Sequence, residues 1–427
     1  MEDTIVNVRD KGENVLSSEA VRSDGNGGDG GRLLHYAVET KRALKARFAY
    51  GFIFFLTNLL AWVVRDYGHP VTAKLHYLKE CHTGKECLHT EAVLRVSLGC
   101  FIFFFCMFLT TFTARKLHYV SHLWHSGWWF LKFVIWISLM LIPFFIPSGF
   151  IQIYGEVARL GAGYAIAVLH SVCGQIFLLV QLISVIHFIL WWNRCCMPED
   201  ELKYSCFMGL FIATVSYIAA LCGIFLMYLW FAGGSSFLLN IFFITWTLVF
   251  LKAMMIVSLH SKVNTGLLSS GIMGFYIVFL CWSAIRSEPI DERSNSRKQD
   301  YWSGDWTTIV SFLFAVCAIV LATFSTGIDS NSFQFLKDEV QKEDDVPYKY
   351  GFFHAIFSLG AMYFAMLFVS WDLKHSIKKW SIDVGWASTW VKIVNEWFAA
   401  TIYLWTLVSP LAKKHCNGSA VDVQDAV

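Results

Sequence analysis

Ten stretches of this chain stay apolar for long enough to cross a bilayer, and that limits what it can become. They are residues 48–64, 93–114, 128–151, 157–192, 204–231, 237–259, 267–285, 306–328, 350–371 and 390–411. About 20 apolar residues span about 30 Å of hydrocarbon. Lipid offers backbone groups no water, so these runs must be helices; barrel strands would alternate over about ten residues. Composition agrees. Hydrophobic residues make up 56% of the chain and charged ones 15%, against about 25% charged in soluble domains. A soluble enzyme and a disordered chain are excluded. So is a nucleic-acid binder, because a net charge of +2 gives no basic excess. The expected fold class is an all-α polytopic membrane protein. Trp and Tyr at the run ends, among them Trp128, Trp129, Trp191, Trp192, Trp302, Trp306, Trp371, Trp386 and Trp390, suit an interfacial aromatic belt.

The fourth run is too long for one crossing. Its 157–192 stretch would make a helix of about 54 Å at about 1.5 Å per residue. Gly161, Gly163 and Gly174 interrupt it, and His170, Ser171 and Gln175 are polar. A steeply tilted or broken helix, or extra residues, would account for the length.

Ten crossings put both termini on one side. With that side cytosolic, the inner segments hold more Lys and Arg than the outer loops, led by the basic cluster at 41–47. Cys81 and Cys87 are the only cysteines in a predicted outer loop. A disulfide between them suits an oxidising compartment; two free thiols are the alternative. Residues 1–32 are charged and Gly-rich, so a disordered tail is expected, with neither signal peptide nor myristoylation. The organisation expected is a cytosolic tail over 1–47, a membrane domain over 48–411 and a short cytosolic tail over 412–427. The localisation expected is integral and multi-pass, in endomembrane or plasma membrane.

No catalytic signature is present: no phosphate-binding loop with its Lys, no His-Glu-x-x-His, no Gly-x-Ser-x-Gly. No enzyme activity, cofactor or metal is therefore expected. His118, His122 and His125 would share a helical face, but interfacial histidines explain them better than a metal site. Cys81, His82, Cys87 and His89 lie together too, and a disulfide there would remove the thiolates zinc needs. Charged residues inside spans are costly and mark functional contacts or snorkelling side chains. Lys132 near the start of the third run is expected to snorkel. Lys252 can snorkel too, or meet an anionic headgroup or a carboxylate. Lys392, Asn395 and Glu396 open the tenth run, and Lys392 and Glu396 are spaced to pair at i, i+4. These five are the candidate lipid or substrate contacts. Asn58, Gln181, His187, Asn240 and His354 should hydrogen-bond between helices, with one or two lining a polar groove. Cys195 and Cys196 follow Trp191, Trp192 and Arg194 on the inner side; palmitoylation and unmodified thiols both fit. The acidic inner loop 329–349 reads as a solvated charge run or as a docking site for a trafficking adaptor.

Five segments carry a resemblance. Ser126–Gly–Trp–Trp–Phe–Leu–Lys132, Phe144–Phe–Ile–Pro–Ser–Gly149, Trp282–Ser–Ala–Ile–Arg–Ser–Glu–Pro289, Tyr350–Gly–Phe–Phe–His354 and Tyr403–Leu–Trp–Thr–Leu–Val–Ser–Pro410 resemble the serine incorporator family, with a plant-like cast. The likeness runs from about Arg47 to Leu411. Each motif alone is weak; their order and spacing together are specific. The resemblance implies ten transmembrane helices in two subdomains joined by a long, tilted fourth helix, cytosolic termini, and lipid held in a cleft between helices. It also implies serine supply for phosphatidylserine and sphingolipid synthesis, and lipid scrambling across the bilayer. One departure stands out. The family pattern resembles Ala158–Arg–Leu–Gly–Ala–Gly163 running directly into Phe177–Leu–Leu–Val–Gln–Leu182, whereas residues 164–176 intervene here. That insertion explains the excess length and puts the helix's register in question.

The favoured function is therefore non-enzymatic phospholipid handling. The rivals are an alternating-access carrier of serine or another small polar solute, and a scaffold for lipid-synthesis enzymes. Carriers often break helices at matching positions in two repeats; Pro143 and Pro147 break the third run without a counterpart five runs later. Partners expected are membrane phospholipids, serine, lipid-synthesis enzymes or an adaptor at the acidic loop, and further copies of the chain. Orientation has a direct test in the sequon Asn417–Gly–Ser419. With the carboxyl terminus cytosolic, glycosidase treatment leaves the mass unchanged, and a shift abolished by Asn417→Gln would invert the topology.

Overall fold

The computed structural model describes residues 29–68, 85–112, 120–162, 175–196, 204–231, 237–260, 263, 267–289, 306–328, 348–371, 373 and 382–424. Among the described residues there is no strand. Twelve α-helices follow in chain order: α1 Asp29–Tyr67, α2 Lys85–Thr111, α3 Val120–Ser126, α4 Trp129–Leu141, α5 Ser148–Ala162, α6 Gln175–Cys196, α7 Tyr204–Phe231, α8 Phe237–Leu259, α9 Leu267–Arg286, α10 Trp306–Ile328, α11 Tyr350–Phe368 and α12 Trp386–Gln424. A 3₁₀ turn, Ile142–Phe145, separates α4 from α5.

Helix α1 begins well before the first apolar run, so the basic cluster at 41–47, assigned from sequence to the tail, is helical. Ala, Leu, Lys and Arg are strong helix formers. Ala43, Ala46 and Tyr50 lie buried on one face, which anchors this extension to the helices beneath it. Helix α12 likewise continues to Gln424.

Among the described residues, six helical stretches are long and apolar enough to cross a membrane: His35–Tyr67, His89–Thr111, Met208–Phe231, Leu238–Leu259, Leu267–Arg286 and Tyr350–Phe368. The bent pair Val120–Ser126 and Trp129–Phe145, meeting at 71°, makes a seventh when taken as one span. Phe177–Asn193 and Phe312–Ile328 are shorter apolar helices. Among the described residues the third run departs most from a simple span. In the third, Trp128 adopts a left-handed backbone (φ 57°) between α3 and α4, and Pro143 opens the 3₁₀ turn at the other end. The fourth run is described as two helices, α5 and α6; the intervening residues 163–174 lie outside the described residues.

The helices form two bundles. In the first, α1, α2, α4, α10 and α11 pack together with α3 and α5 against them, and α2 and α11 have the most extensive interface. In the second, α7, α8 and α12 surround α9. Helix α6 touches α5, α10 and α11 of the first bundle and α7, α9 and α12 of the second. The first core is aromatic: the Phe357 ring lies 4.5–5.2 Å, centroid to centroid, from Phe353, Phe104 and Phe54. The outer faces are apolar too. Leu210, Phe211, Val215, Ile218, Leu221, Phe225, Leu229 and Trp230 of α7 are all exposed. A surface of that kind suits acyl chains, and with the apolar spans above it makes the chain a multi-pass membrane protein.

Small residues set the closest approaches. A Cβ on Gly99 of α2 would sit 2.3 Å from the Leu139 carbonyl oxygen of α4. Gly99→Ala must therefore push these helices apart, at a cost of about 1–3 kcal/mol. Thermal unfolding in detergent should show a clear loss of stability. Gly149→Ala, with nothing within 4 Å of its added Cβ, should stay within about 0.5 kcal/mol of the parent.

Candidate functional site

At the end of the first bundle where α1 begins, a buried polar cluster gathers side chains from α1, α3, α4 and α11. Lys132 does not snorkel. It is 0% exposed, and its Nζ donates to the carbonyls of His125 (2.9 Å) and Gly127 (2.6 Å). The Trp129 ring centroid lies 4.4 Å away, with Tyr50 and Trp124 each at 5.3 Å. Charge-assisted hydrogen bonds and cation–π attraction together replace the water the ammonium gives up. The pull inward comes from the carbonyls that the turn at Gly127 and Trp128 leaves without helical partners.

The histidines beside it form a chain in which each proton has one place to go. Burial pushes the Tyr348 phenol up, so it stays protonated and donates to the Ala43 carbonyl (3.1 Å). Its oxygen then accepts from His125 Nε2 (2.8 Å). His125 Nδ1 is left as an acceptor for His354 Nε2–H (3.0 Å). His354 Nδ1 is buried without a protein partner. His122 faces elsewhere, toward Glu39 (3.1 Å) and the Tyr350 hydroxyl (2.8 Å). His122 and His125 thus point to separate partners, and His118 lies outside the described residues.

The opposite end of the bundle is held by arginines. Arg95 is 0% exposed. Its Nη1 donates to the carbonyls of Pro143 (2.5 Å) and Ile146 (2.6 Å), and its Nη2 reaches Glu91 (3.1 Å) and Ser148 (3.3 Å). Arg65 pairs with Asp66 at 2.7 Å and donates to the Phe368 carbonyl at 3.0 Å. The Arg65 carbonyl in turn meets His89 Nδ1. Arg95 and Glu91 went unnoticed in the sequence, although an acid and an arginine at i, i+4 beside an apolar run are a legible signal.

Lys392 and Glu396 do not pair. Lys392 Nζ instead bonds Asp383 Oδ2 (2.6 Å) and Ser287 Oγ (2.5 Å). Trp371, expected at the interface, is buried and donates to Asp383 Oδ1 (3.2 Å). Left-handed backbones at Ser370, Trp371 and Asp383 shape the connection that brings Asp383 to both. This clasp joins the end of α11 in the first bundle to α9 and α12 in the second. Glu396 turns toward α8, where Thr247 Oγ1 lies 2.7 Å from Oε1. Asn395 is half-buried, and Lys252 is exposed on α8.

Among the uncharged polar residues, Asn58 bonds within its own helix, to Phe54 O (2.8 Å), rather than across helices. Asn240 does reach another helix's end, at Glu288 (3.4 Å). Gln181, Ser184 and His187 recur every three residues along α6 and so wind around it. Gln181 is half-buried with an Oε1 that lacks a protein partner, Ser184 is buried, and His187 is exposed. They make a polar seam on the helix that touches both bundles. Cys81, the side chains of Cys87, Cys195 and Cys196, and loop residues 329–347 lie outside the described residues, so the disulfide, palmitoylation and docking-loop expectations do too.

The sequence profile of the serine incorporator family (Serinc) matches residues 32–342 and 334–415. Serine incorporator 3 of Mus musculus is 26% identical, over 87% of this chain and 92% of its own length. A probable serine incorporator of Dictyostelium discoideum is 25% identical, over 88% of this chain and 96% of its own. Serine incorporator 5 of Danio rerio is 22% identical, over 87% and 92%.

Lys132→Met removes both hydrogen bonds that Nζ makes to the carbonyls of the α3–α4 turn. It should cost about 1.5–3 kcal/mol, read as a lowered midpoint in thermal unfolding. Lys252→Met on the exposed flank should leave the midpoint nearly unchanged.

Proposed function

Because the chain belongs to the serine incorporator family, we propose that it associates with phospholipids and moves them across the bilayer, without making or breaking covalent bonds. Headgroups would travel along the polar seam of α6 while acyl chains stay in the surrounding lipid. The observation that carries this proposal is the placement of Gln181, Ser184 and His187 on a helix that packs against both bundles, with Gln181 Oε1 lacking a protein partner. A buried amide oxygen without a partner in hydrocarbon costs free energy, and a passing ammonium or hydroxyl headgroup would offset that cost. Lys252, exposed on α8, supplies a cation for the phosphate or carboxylate of an anionic lipid. The relatives' names attribute serine incorporation to them; here serine supply for phosphatidylserine and sphingolipid synthesis is the accompanying role. Both termini would face the cytosol.

Proteoliposomes carrying fluorescent phosphatidylserine test the proposal. Dithionite should bleach the inner-leaflet lipid much faster than in protein-free vesicles. Replacing both Gln181 and His187 by Leu should slow this several-fold with insertion unchanged. Bleaching no faster than in empty vesicles, with protein confirmed in the membrane, contradicts lipid movement. Uptake of radiolabelled serine under those same conditions would point to the carrier instead.

A further inference from the structure

Glu396 is a carboxyl group buried inside the second bundle with no ion-pair partner among the described residues. It is 1% exposed and lies about 15 Å along α12 from its start. It faces Thr247, near the middle of α8. Among the described residues no Lys, Arg or His forms an ion pair with it; Lys392, one turn away, is committed to Asp383. The groups facing it from the packed helices offer no charge either. From α8 it meets the Thr247 hydroxyl, and from α9 the buried Cys281 thiol. Helix α6 joins α12 through Leu182, Ile186 and Ile189 against Ala399, Ala400 and Tyr403.

The hydrogen bonds say which species fits. Thr247 Oγ1 has one proton and two oxygens within reach, Phe243 O at 2.9 Å and Glu396 Oε1 at 2.7 Å. With a single hydroxyl proton, Thr247 cannot give a full two-centre bond to both oxygens; both contacts become full hydrogen bonds when Thr247 donates to the carbonyl and Glu396 donates to Thr247. The second carboxyl oxygen, Oε2, is buried without a protein partner. As a neutral carbonyl oxygen its isolation is tolerable; as half of a bare carboxylate it would be far more costly.

We propose that Glu396 and Thr247 form a proton-binding site in the second bundle, with Glu396 held as a neutral carboxylic acid at neutral pH. The bound species is a proton on Oε1, donated to Thr247 Oγ1. The site gives the second bundle a titratable element that depends neither on the α6 seam nor on lipid movement.

Infrared difference spectroscopy on the full-length protein in lipid bilayers tests the proposal. At pH 7 the parent minus Glu396→Gln should show a protonated-carboxyl C=O stretch that moves to lower frequency in D₂O. Thr247→Val should keep that band but shift it, because its hydrogen-bond acceptor is gone; this variant serves if Glu396→Gln does not fold. Absence of a protonated-carboxyl band in the parent overturns the proposal. So does a band that Thr247→Val leaves unmoved, or one that sodium chloride bleaches at fixed pH where choline chloride does not, since a metal cation would then occupy the site.

Discussion

Two buried cations make the broken third span possible. Helix α4 has 13 residues, about 20 Å at about 1.5 Å per residue, which is short of a bilayer crossing. The backbone breaks at both of its ends, and each break exposes carbonyls that hydrocarbon cannot solvate. Lys132 collects those of His125 and Gly127 at one end. Arg95 collects those of Pro143 and Ile146 at the other. Neither cation is itself left bare, since Arg95 also meets Glu91 and Lys132 lies among aromatic rings. The same charges fix where α2, α3, α4 and α5 meet, so the first bundle depends on them.

The second bundle follows a different rule. Its helices pack through Ala220, Ile224, Phe243, Val278, Cys281 and Ile393, and its buried acid Glu396 has no ion-pair partner among the described residues. Contact between the bundles is made along α6 and at the clasp of Asp383, Lys392 and Ser287. Gln181 and Ser184 lie on that helix with their side chains half-buried and buried, while His187 on the same helix is exposed.

Much of the fold was legible because the apolar runs dictate helices, and the third run already carried the Pro residues that mark its break. Side-chain direction was not legible. Lys132 looked placed to snorkel because its position near a run's end says nothing about orphan carbonyls at a turn that only the folded chain creates. The Lys392–Glu396 pair is sound on an isolated helix, but Asp383 comes from a connection whose left-handed backbone the sequence does not announce. The Glu91–Arg95 spacing was legible, but the carbonyls of Pro143 and Ile146 that Arg95 also meets are distant in sequence. Gln181 and His187 were identifiable as intramembrane polar residues; that they share the helix between the bundles became evident only from the packing.

The most direct test of the seam between the bundles is covalent capture of lipid. A phosphatidylserine with a photoreactive group near its headgroup, activated in bilayers that contain the full-length protein, can be mapped by peptide mass spectrometry. A headgroup path along α6 predicts adducts concentrated around Gln181, Ser184 and His187 and on the helix faces beside them. Adducts confined to the outer apolar faces, such as the exposed face of α7, with none on α6, would contradict it.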